Sequence, residues 1–193
     1  MKKIAIFASG TGSNTRKILE YSTANPGSFT VALIVTNKPI AGVLDIAAEY
    51  GVPTCIIEKE EFFRGHHYLP ELKDAEIDLI VLAGFLWKIP QALIDHYRNR
   101  IINIHPALLP KFGWKGMYGD HVHNMVLEGG EKESGITIHY VDEHYDHGDL
   151  IFQARCEVMP GETAESLAQK IHQLEHEWFP KIIEKVVKEE KLH

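Results

Sequence analysis

The sequence predicts an α/β protein built on a doubly wound, mostly parallel sheet, with an antiparallel extension and a long helix toward its C-terminal end. Three observations predict it. An apolar run at the start hands over to a glycine loop and then to a helix-compatible stretch. Short β-branched runs then alternate with helical patterns as far as residue 106. Within that half, Ile77 to Ala83 is apolar almost without alternation, as a parallel strand covered on both faces must be.

The elements follow in order. Ile4 to Ala8 reads as the first strand, ending in Ser9-Gly10-Thr11-Gly12-Ser13-Asn14, and a helix spans about Thr15 to Tyr21. Phe29 to Val35 is a second strand, Val43 to Tyr50 a helix, and Pro53 to Ile57 a third strand. Ile77 to Ala83 is the fourth, Gln91 to Tyr97 a short helix, and Arg100 to His105 a fifth strand stopped by Pro106. Beyond it the texture changes. Pro110 to Gly119 is a glycine- and proline-rich loop, and His121 to Leu127 is helical. Ile136 to Tyr140 alternates as a half-exposed antiparallel strand does, and Leu150 to Val158 is a further strand. Leu167, Ile171, Leu174 and Trp178 recur on one helix face, and Pro180 kinks or restarts that helix before Ile182, Ile183, Val186 and Val187 extend it. No linker or repeat divides the chain, so one domain over 1–193 is expected.

Bulk properties narrow the function. The chain has 193 residues, 45% apolar and 24% charged, with a net charge of −7. So acidic a protein has no general attraction for nucleic acid, although a local site can still hold a small anion. The two cysteines, Cys55 and Cys156, form neither a disulfide framework nor a metal pair, which points to a reducing cytoplasm. No stretch approaches the roughly 20 apolar residues of a membrane helix, and the opening apolar run is too short for a signal peptide. No motif shows an oligomeric interface.

Two constellations carry chemistry. Gly10-Thr11-Gly12-Ser13-Asn14 lies where a strand meets a helix, so backbone N–H groups, the helix N-terminus and the Ser13 and Asn14 side chains can hold a phosphate without a nearby lysine. It is not the dinucleotide fingerprint, because Thr15 stands where glycine is needed and the second strand ends in Asn37-Lys38 rather than an acidic residue. Nor is it a Walker loop. Asn103 and His105, two apart on the fifth strand, point to one face at its carboxyl end, where open α/β sheets bind ligands. An amide and an imidazole together suit an oxyanion, and Asp142, Glu143, Asp146 and Asp149 are candidate carboxylates to balance the histidine. Asp146, before His147-Gly148, can be aimed inward by a turn. With no Gly-x-Ser-x-Gly elbow, the nucleophile would be a substrate group.

Other patterns are weaker. His172-Gln173-Leu174-Glu175-His176 spells an inverted zinc-protease motif, but no third ligand follows, and Leu174 belongs to the core stripe. His121, His123, His139, His144 and His147 form a loose histidine cluster without cysteine partners, which is weak evidence of a metal. Lys185 to Lys191 reads as a solvated helix face.

The chain resembles the phosphoribosylglycinamide formyltransferases, folate-dependent enzymes of purine synthesis, over nearly its whole length. The likeness rests on Ser9-Gly10-Thr11-Gly12-Ser13-Asn14, Leu82-Ala83-Gly84-Phe85, the run from Asn103-Ile104-His105-Pro106 to Lys111, and Asp146-His147-Gly148, in the family's order. It implies a Rossmann-like formyltransferase fold, with a phosphoribosyl-binding half at 1–106 and a folate and catalytic half with the C-terminal helix at 107–193. It implies direct transfer of the formyl group of 10-formyltetrahydrofolate, a co-substrate, to the amine of glycinamide ribonucleotide, with no metal. Asn103, His105 and Asp146 would be catalytic, with His139 behind them. Gly12, Ser13 and Asn14 would hold the phosphoribosyl part, together with His172, Gln173, Leu174 and Glu175, the last on the ribose hydroxyls. Leu86, Trp87, Lys88 and Ile89 would line the folate pocket with Asn103 and with Asp142, Glu143, His144, Tyr145 and Asp146. Asp146 would favour a charged His105.

The sequence departs from the pattern in three places. Leu86-Trp87 stands for a frequent Met-Arg, the loop from Phe112 to Tyr118 is longer than in some members, and His147 replaces a small residue. Related formyltransferases acting on methionyl-tRNA carry an added C-terminal domain, and the hydrolases an added N-terminal one. The chain's length and its start within the catalytic segment point away from both. Sugar-nucleotide formyltransferases lack the Gly-Ser-Asn loop in this form. A non-catalytic nucleotide-binding module is the reading from another class, and the intact Asn103, His105 and Asp146 argue against it.

Overall fold

A computed structural model describes residues 1–189 of the chain. The order of elements is β1 (Lys3–Phe7), α1 (Ser13–Ala24), β2 (Thr30–Thr36), α2 (Val43–Tyr50), β3 (Thr54–Ile56), α3 (Lys59–Phe63), α4 (Leu69–Asp74), β4 (Leu79–Leu82), α5 (Gln91–His96), β5 (Ile101–His105), α6 (Asp120–Glu128), β6 (Glu133–Tyr140), β7 (Leu150–Glu157) and α7 (Ala164–Lys188). The strands form one seven-stranded sheet in the order β3-β2-β1-β4-β5-β6-β7. β1 to β5 run parallel, and β6 and β7 are added antiparallel at the end of the sheet.

Alternation along the central strands divides the core in two. Ile4, Ile6 and Ala8 pack on one face with Ile18 and Leu19 of α1, Val43 and Ile46 of α2, and the buried side of α7. Ala5 and Phe7 pack on the other face with Phe62 of α3, Leu72 of α4, and Leu93 and Ile94 of α5. Both faces of the central strands are therefore dry, which is why their sequences read as unbroken apolar runs. The short helices α3 and α4 escaped the sequence pattern because each buries a single large side chain, Phe62 and Leu72. One or two turns give a hydrophobic period too little length to register. Cys55 on β3 and Cys156 on β7 lie on opposite edge strands of the sheet.

Three expectations need correction. β6 is not half-exposed: six of its eight residues are buried. Ile136 and Ile138 face the α7 side, while on the other face Thr137 is sealed under the chain that follows β5. Its Oγ1 donates to the Ala107 carbonyl at 2.7 Å and accepts from Leu109 N–H at 3.0 Å. Alternation here separates apolar from polar residues, not inside from outside. Second, α7 continues through Pro180 rather than restarting. The lost hydrogen bond is offset by burial of Phe179, Ile182 and Ile183 on either side. Third, the buried stripe of α7 passes through Leu167, Ile171, Glu175 and Phe179, whereas Leu174 and Trp178 are only half-buried. A carboxylate on the inward side of a core helix is the feature that hydrophobic periodicity could not anticipate.

Thr163 caps α7, its side chain accepting from Ser166 N–H at 3.1 Å, and Lys185 and Lys188 lie in the last turn, where the helix dipole favours cations. Of the charged run at the end of the chain, Lys185, Lys188 and Glu189 are exposed, and the rest lies outside the described residues. Among the described residues no helix is long and apolar enough to cross a membrane.

The antiparallel extension is tightly closed. A Cβ at Gly135 of β6 would stand 2.0 Å from the Ala154 carbonyl oxygen and 2.7 Å from Leu108 Cδ2, so strand and loop would both have to move. Gly135→Ala should therefore cost about 1–3 kcal/mol of stability. Urea unfolding measures it. A loss below about 0.5 kcal/mol, within the ordinary range of surface changes, would show that the extension has slack.

Candidate active site

The chain builds β1, β2 and β3 outward on one side, then returns to place β4 and β5 on the other side of β1. The connections leaving β1 and β4 therefore diverge, which opens a crevice beyond the carboxyl ends of these neighbouring strands. The two connections are tied together at its floor. Ser9 N–H donates to the Gly84 carbonyl at 3.1 Å, Ser9 Oγ accepts from Leu86 N–H at 3.0 Å, and the same hydroxyl donates to Asn37 Oδ1 at 2.6 Å. The cleft measures about 610 Å³ and draws its lining from β1, β4 and β5 ends, the 114–120 loop, the 141–146 turn and α7.

At its centre stand Asn103, His105, His139 and Asp146. β5 pairs with β6 so that Asn103 lies opposite His139 and His105 opposite Thr137. The Asp146 carboxylate reaches in from the β6–β7 turn, 3.4 Å from Asn103 Nδ2, 3.6 Å from His105 Nδ1 and 3.5 Å from His139 Nε2. Asp146 holds a left-handed backbone conformation, φ 50°, which aspartate tolerates better than most residues. Gly148 allows the turn to fold down: a Cβ there would fall 1.9 Å from the Tyr140 carbonyl oxygen.

The hydrogen bonds fix the proton positions. His139 Nδ1 lies 2.8 Å from the Tyr140 carbonyl, which can only accept, so Nδ1 donates, and that tautomer leaves Nε2 to accept from Asn103 Nδ2 at 3.2 Å. That choice also orients the amide, since a flipped Asn103 would present oxygen to two acceptors. His105 Nε2 donates to the Phe112 carbonyl at 2.8 Å, which leaves Nδ1 facing Asp146 as the position that gains or loses a proton.

Burial is the largest influence on His105 and pushes its pKa below the usual histidine value. Asp146 and the Phe112 carbonyl pull the other way without overcoming it. Asp146 favours the charged form as expected, but with His105 only 3% exposed, loss of hydration outweighs one carboxylate 3.6 Å away. The imidazole rests neutral near pH 7, with its lone pair toward the carboxylate.

One end of the cleft is built for an anion. Gly12 caps α1 with φ 81°, and no acidic residue occupies the first turn of the helix. A side chain at Gly12 would collide with Val43 and Ile46 of α2, so glycine is demanded by packing as well as by conformation. Ser13 and Asn14 open the helix, and Lys38, Lys115 and His123 join the lining. Lys38 lines the same cleft as the glycine loop. It stands just past the end of β2, beside β1, and that adjacency was its only sequence signal. Asn14 Nδ2 donates to Glu175 Oε2 at 3.1 Å. His172 lies 3.1 Å from the same oxygen, and this hydrogen bond raises its pKa. Gln173 is exposed, Leu174 packs against the core, and neither lines the cleft.

The other end is flat and apolar. Leu86, Trp87 and Ile89 line it with Val141, and Trp87 packs among Phe62, Phe63 and Phe85. Lys88 Nζ sits 5.6 Å over the Tyr145 ring, spanning from the β4 connection to the 141–146 turn. Of that turn, Asp142, His144, Tyr145 and Asp146 line the cleft and Glu143 does not. The 114–119 loop adds Trp114, Met117 and Tyr118 to the lining. An anionic group and a planar, mainly apolar one can thus meet at a centre offering an amide, two imidazoles and a carboxylate.

The profile of the family described as formyl transferase matches residues 2–183. Over 193 aligned residues the chain is 39% identical to the chloroplastic phosphoribosylglycinamide formyltransferase of Arabidopsis thaliana, covering 97% of this chain and 66% of that protein's length. It is 36% identical to the phosphoribosylglycinamide formyltransferase of Bacillus subtilis, covering 97% of this chain and 95% of the relative. The crystal structure of the enzyme of that name from Bacillus halodurans superposes with a TM-score of 0.88 at 34% identity, over 97% of this chain and 96% of the other.

His105 supplies a test of the site's electrostatics. Its depressed pKa means that the unfolded chain takes up the proton first as pH falls. The associated stability is complete above about pH 6.5 and is lost as pH drops through the folded value. A histidine NMR titration should give His105 a midpoint below the usual one, and Asp146→Asn should lower it further by removing an attraction. A midpoint raised by that substitution would mean that the carboxylate does not act on this imidazole.

Proposed function

The chain belongs to the formyl transferase family, and we propose that it transfers the formyl group of 10-formyltetrahydrofolate to the amine of glycinamide ribonucleotide, a step of purine synthesis. The names of its relatives support the reaction. The observation that carries it is the position of Asp146, in reach of Asn103, His105 and His139 between an anion-binding end and an apolar end of one cleft. The phosphate fits the start of α1, the ribose hydroxyls fit the Glu175 carboxylate, and the pterin fits the wall of Leu86, Trp87, Ile89 and Val141. Free thiols at Cys55 and Cys156 accord with a reducing compartment such as the cytoplasm.

In the proposed mechanism the substrate amine attacks the formyl carbon, and charge gathers on the formyl oxygen. Asn103 Nδ2 and protonated His105 Nδ1 face that oxygen. The resting imidazole is neutral, so it takes up a proton from water as the oxyanion develops and returns it when the carbonyl re-forms; the oxyanion favours a protonation that burial alone opposes. Asp146, within reach of both groups, takes up the proton that the amine sheds, and that proton goes on, directly or through water, to the departing folate nitrogen. Asn103 already donates to His139 at 3.2 Å and, more weakly, to Asp146 at 3.4 Å. It is the longer bond that the oxyanion replaces. No step calls for a metal.

The test is a turnover assay with both substrates, following release of tetrahydrofolate. Release should require the amine and should vanish in His105→Ala. Release without the amine would make the protein a hydrolase, and none with either would refute the assignment. Asn103→Ala should lower turnover by about 10²–10³ and, by leaving the buried His139 Nε2 unpaired, should cost about 1–3 kcal/mol of stability. Glu175→Gln should raise KM for the nucleotide and change kcat little, and an unchanged KM would remove Glu175 from the ribose site.

A further inference from the structure

The turn between β6 and β7, whose Asp142 and His144 also line the cleft, carries a second constellation to which the proposed acyl transfer assigns no chemical step. Asp142, His144 and His147 bring one carboxylate oxygen and two ring nitrogens within 4.8 Å of one another. Asp142 Oδ2 lies 2.9 Å from His147 Nδ1, Asp142 Oδ1 lies 3.9 Å from His144 Nδ1, and the two rings are 5.3 Å apart between centroids. Ligands held about 2.0–2.1 Å from a tetrahedral zinc ion are separated by about 3.3–3.4 Å, so the two carboxylate–imidazole separations bracket that value. The turn is already braced for it, because His144 N–H donates to Asp142 Oδ1 at 2.8 Å. Among the described residues no other group of three such side chains converges in this way. His172 and His176 stack 6.1 Å apart, and the Glu175 between them is bound to Asn14. The weak histidine cluster of the sequence thus resolves into one compact chelate, with His121, His123 and His139 placed elsewhere.

We propose that Asp142, His144 and His147 bind one divalent transition-metal ion of the zinc class at the rim of the cleft. Two imidazoles and one carboxylate suit zinc, cobalt or nickel and not calcium or magnesium, which take mainly oxygen ligands. Both histidines are exposed, at 67% and 73% of the side chain, so the ion keeps water in its remaining positions. Because Asp146 lies between His144 and His147, the ion clamps the turn that presents the central carboxylate. Its role is to fix that turn, separate from the acyl chemistry itself.

Zinc alone is the probe, and the full chain is the sample. Equilibrium dialysis at neutral pH with elemental analysis should find one equivalent bound. His144→Gln with His147→Gln should weaken binding by at least about tenfold, the lower bound for losing even an outer partner of a metal site. Amide hydrogen exchange should slow over residues 141–148 when zinc is added. No uptake by the parent chain, undiminished binding by the double variant, or slowing confined to the 172–176 segment would each overturn the proposal. None of these readouts depends on turnover, so the chelate and the proposed reaction stand or fall separately.

Discussion

Everything chemical in this molecule hangs on the register of the β5–β6 pair. Asn103 sits opposite His139 and His105 opposite Thr137, so the polar residues of both strands share one face. A slip of one residue would turn Asn103 and His105 into the apolar face that holds Ile102, Ile104, Ile136 and Ile138. The register is itself secured by burial of those isoleucines and by Thr137, whose hydroxyl fastens the chain after β5 through Ala107 and Leu109. The change of sheet direction at β6 is therefore functional as well as topological. It lets the β6–β7 turn arrive at the same edge as the ends of the parallel strands, where it delivers Asp146.

The centre is kept dry at an electrostatic cost. Burial holds His105 neutral against the pull of a carboxylate 3.6 Å away. A neutral imidazole beside an acceptor is a poor ground-state pair, which fits the separation exceeding a hydrogen bond. The pair becomes favourable only once a proton and a negative oxygen are both present. An arrangement of this kind stabilises a charge that develops more than a charge already there, and that difference is what lowers a barrier.

Much of this could be read in the chain beforehand, for identifiable reasons. The parallel half was legible because strands covered on both faces leave apolar runs, and Asn103 and His105 because a period of two and a terminating Pro106 place them on one face at a strand end. Asp146 was one of four candidate carboxylates, favoured by the His147-Gly148 turn and named by the resemblance, while the turn's direction is set by Gly148 lying against the Tyr140 carbonyl, a contact across strands. The burial of β6 and of Glu175, and the place of Lys38 in the cleft lining, were hidden for the same reason. Each depends on what a distant segment lays over it: the 107–112 chain, Asn14 and the neighbouring end of β1. The convergence of Asp142, His144 and His147 is local, yet spacing alone does not reveal it, because it requires the left-handed residue between them.

Among the described residues six buried side-chain atoms have no hydrogen-bond partner; Ser28 Oγ and Ser134 Oγ lie away from the cleft, and the other four lie at or beside it. Asn14 Oδ1 and His123 Nδ1 are buried without a hydrogen-bond partner, and both residues line the cleft at its anion end. The neighbouring Thr15 Oγ1 and His176 Nε2, on the helices that bound this end, are unpaired as well. A buried polar group left so costs about 1–3 kcal/mol, a burden that packing alone would have removed by substitution with apolar side chains of similar size. At the centre, by contrast, Asn103, His105 and His139 are all partnered. The reacting groups are thus held in place in advance, whereas the binding groups wait for a ligand to complete them. A phosphorylated sugar entering at α1 would meet donors and acceptors that no protein group satisfies, and pairing with them would contribute to its affinity.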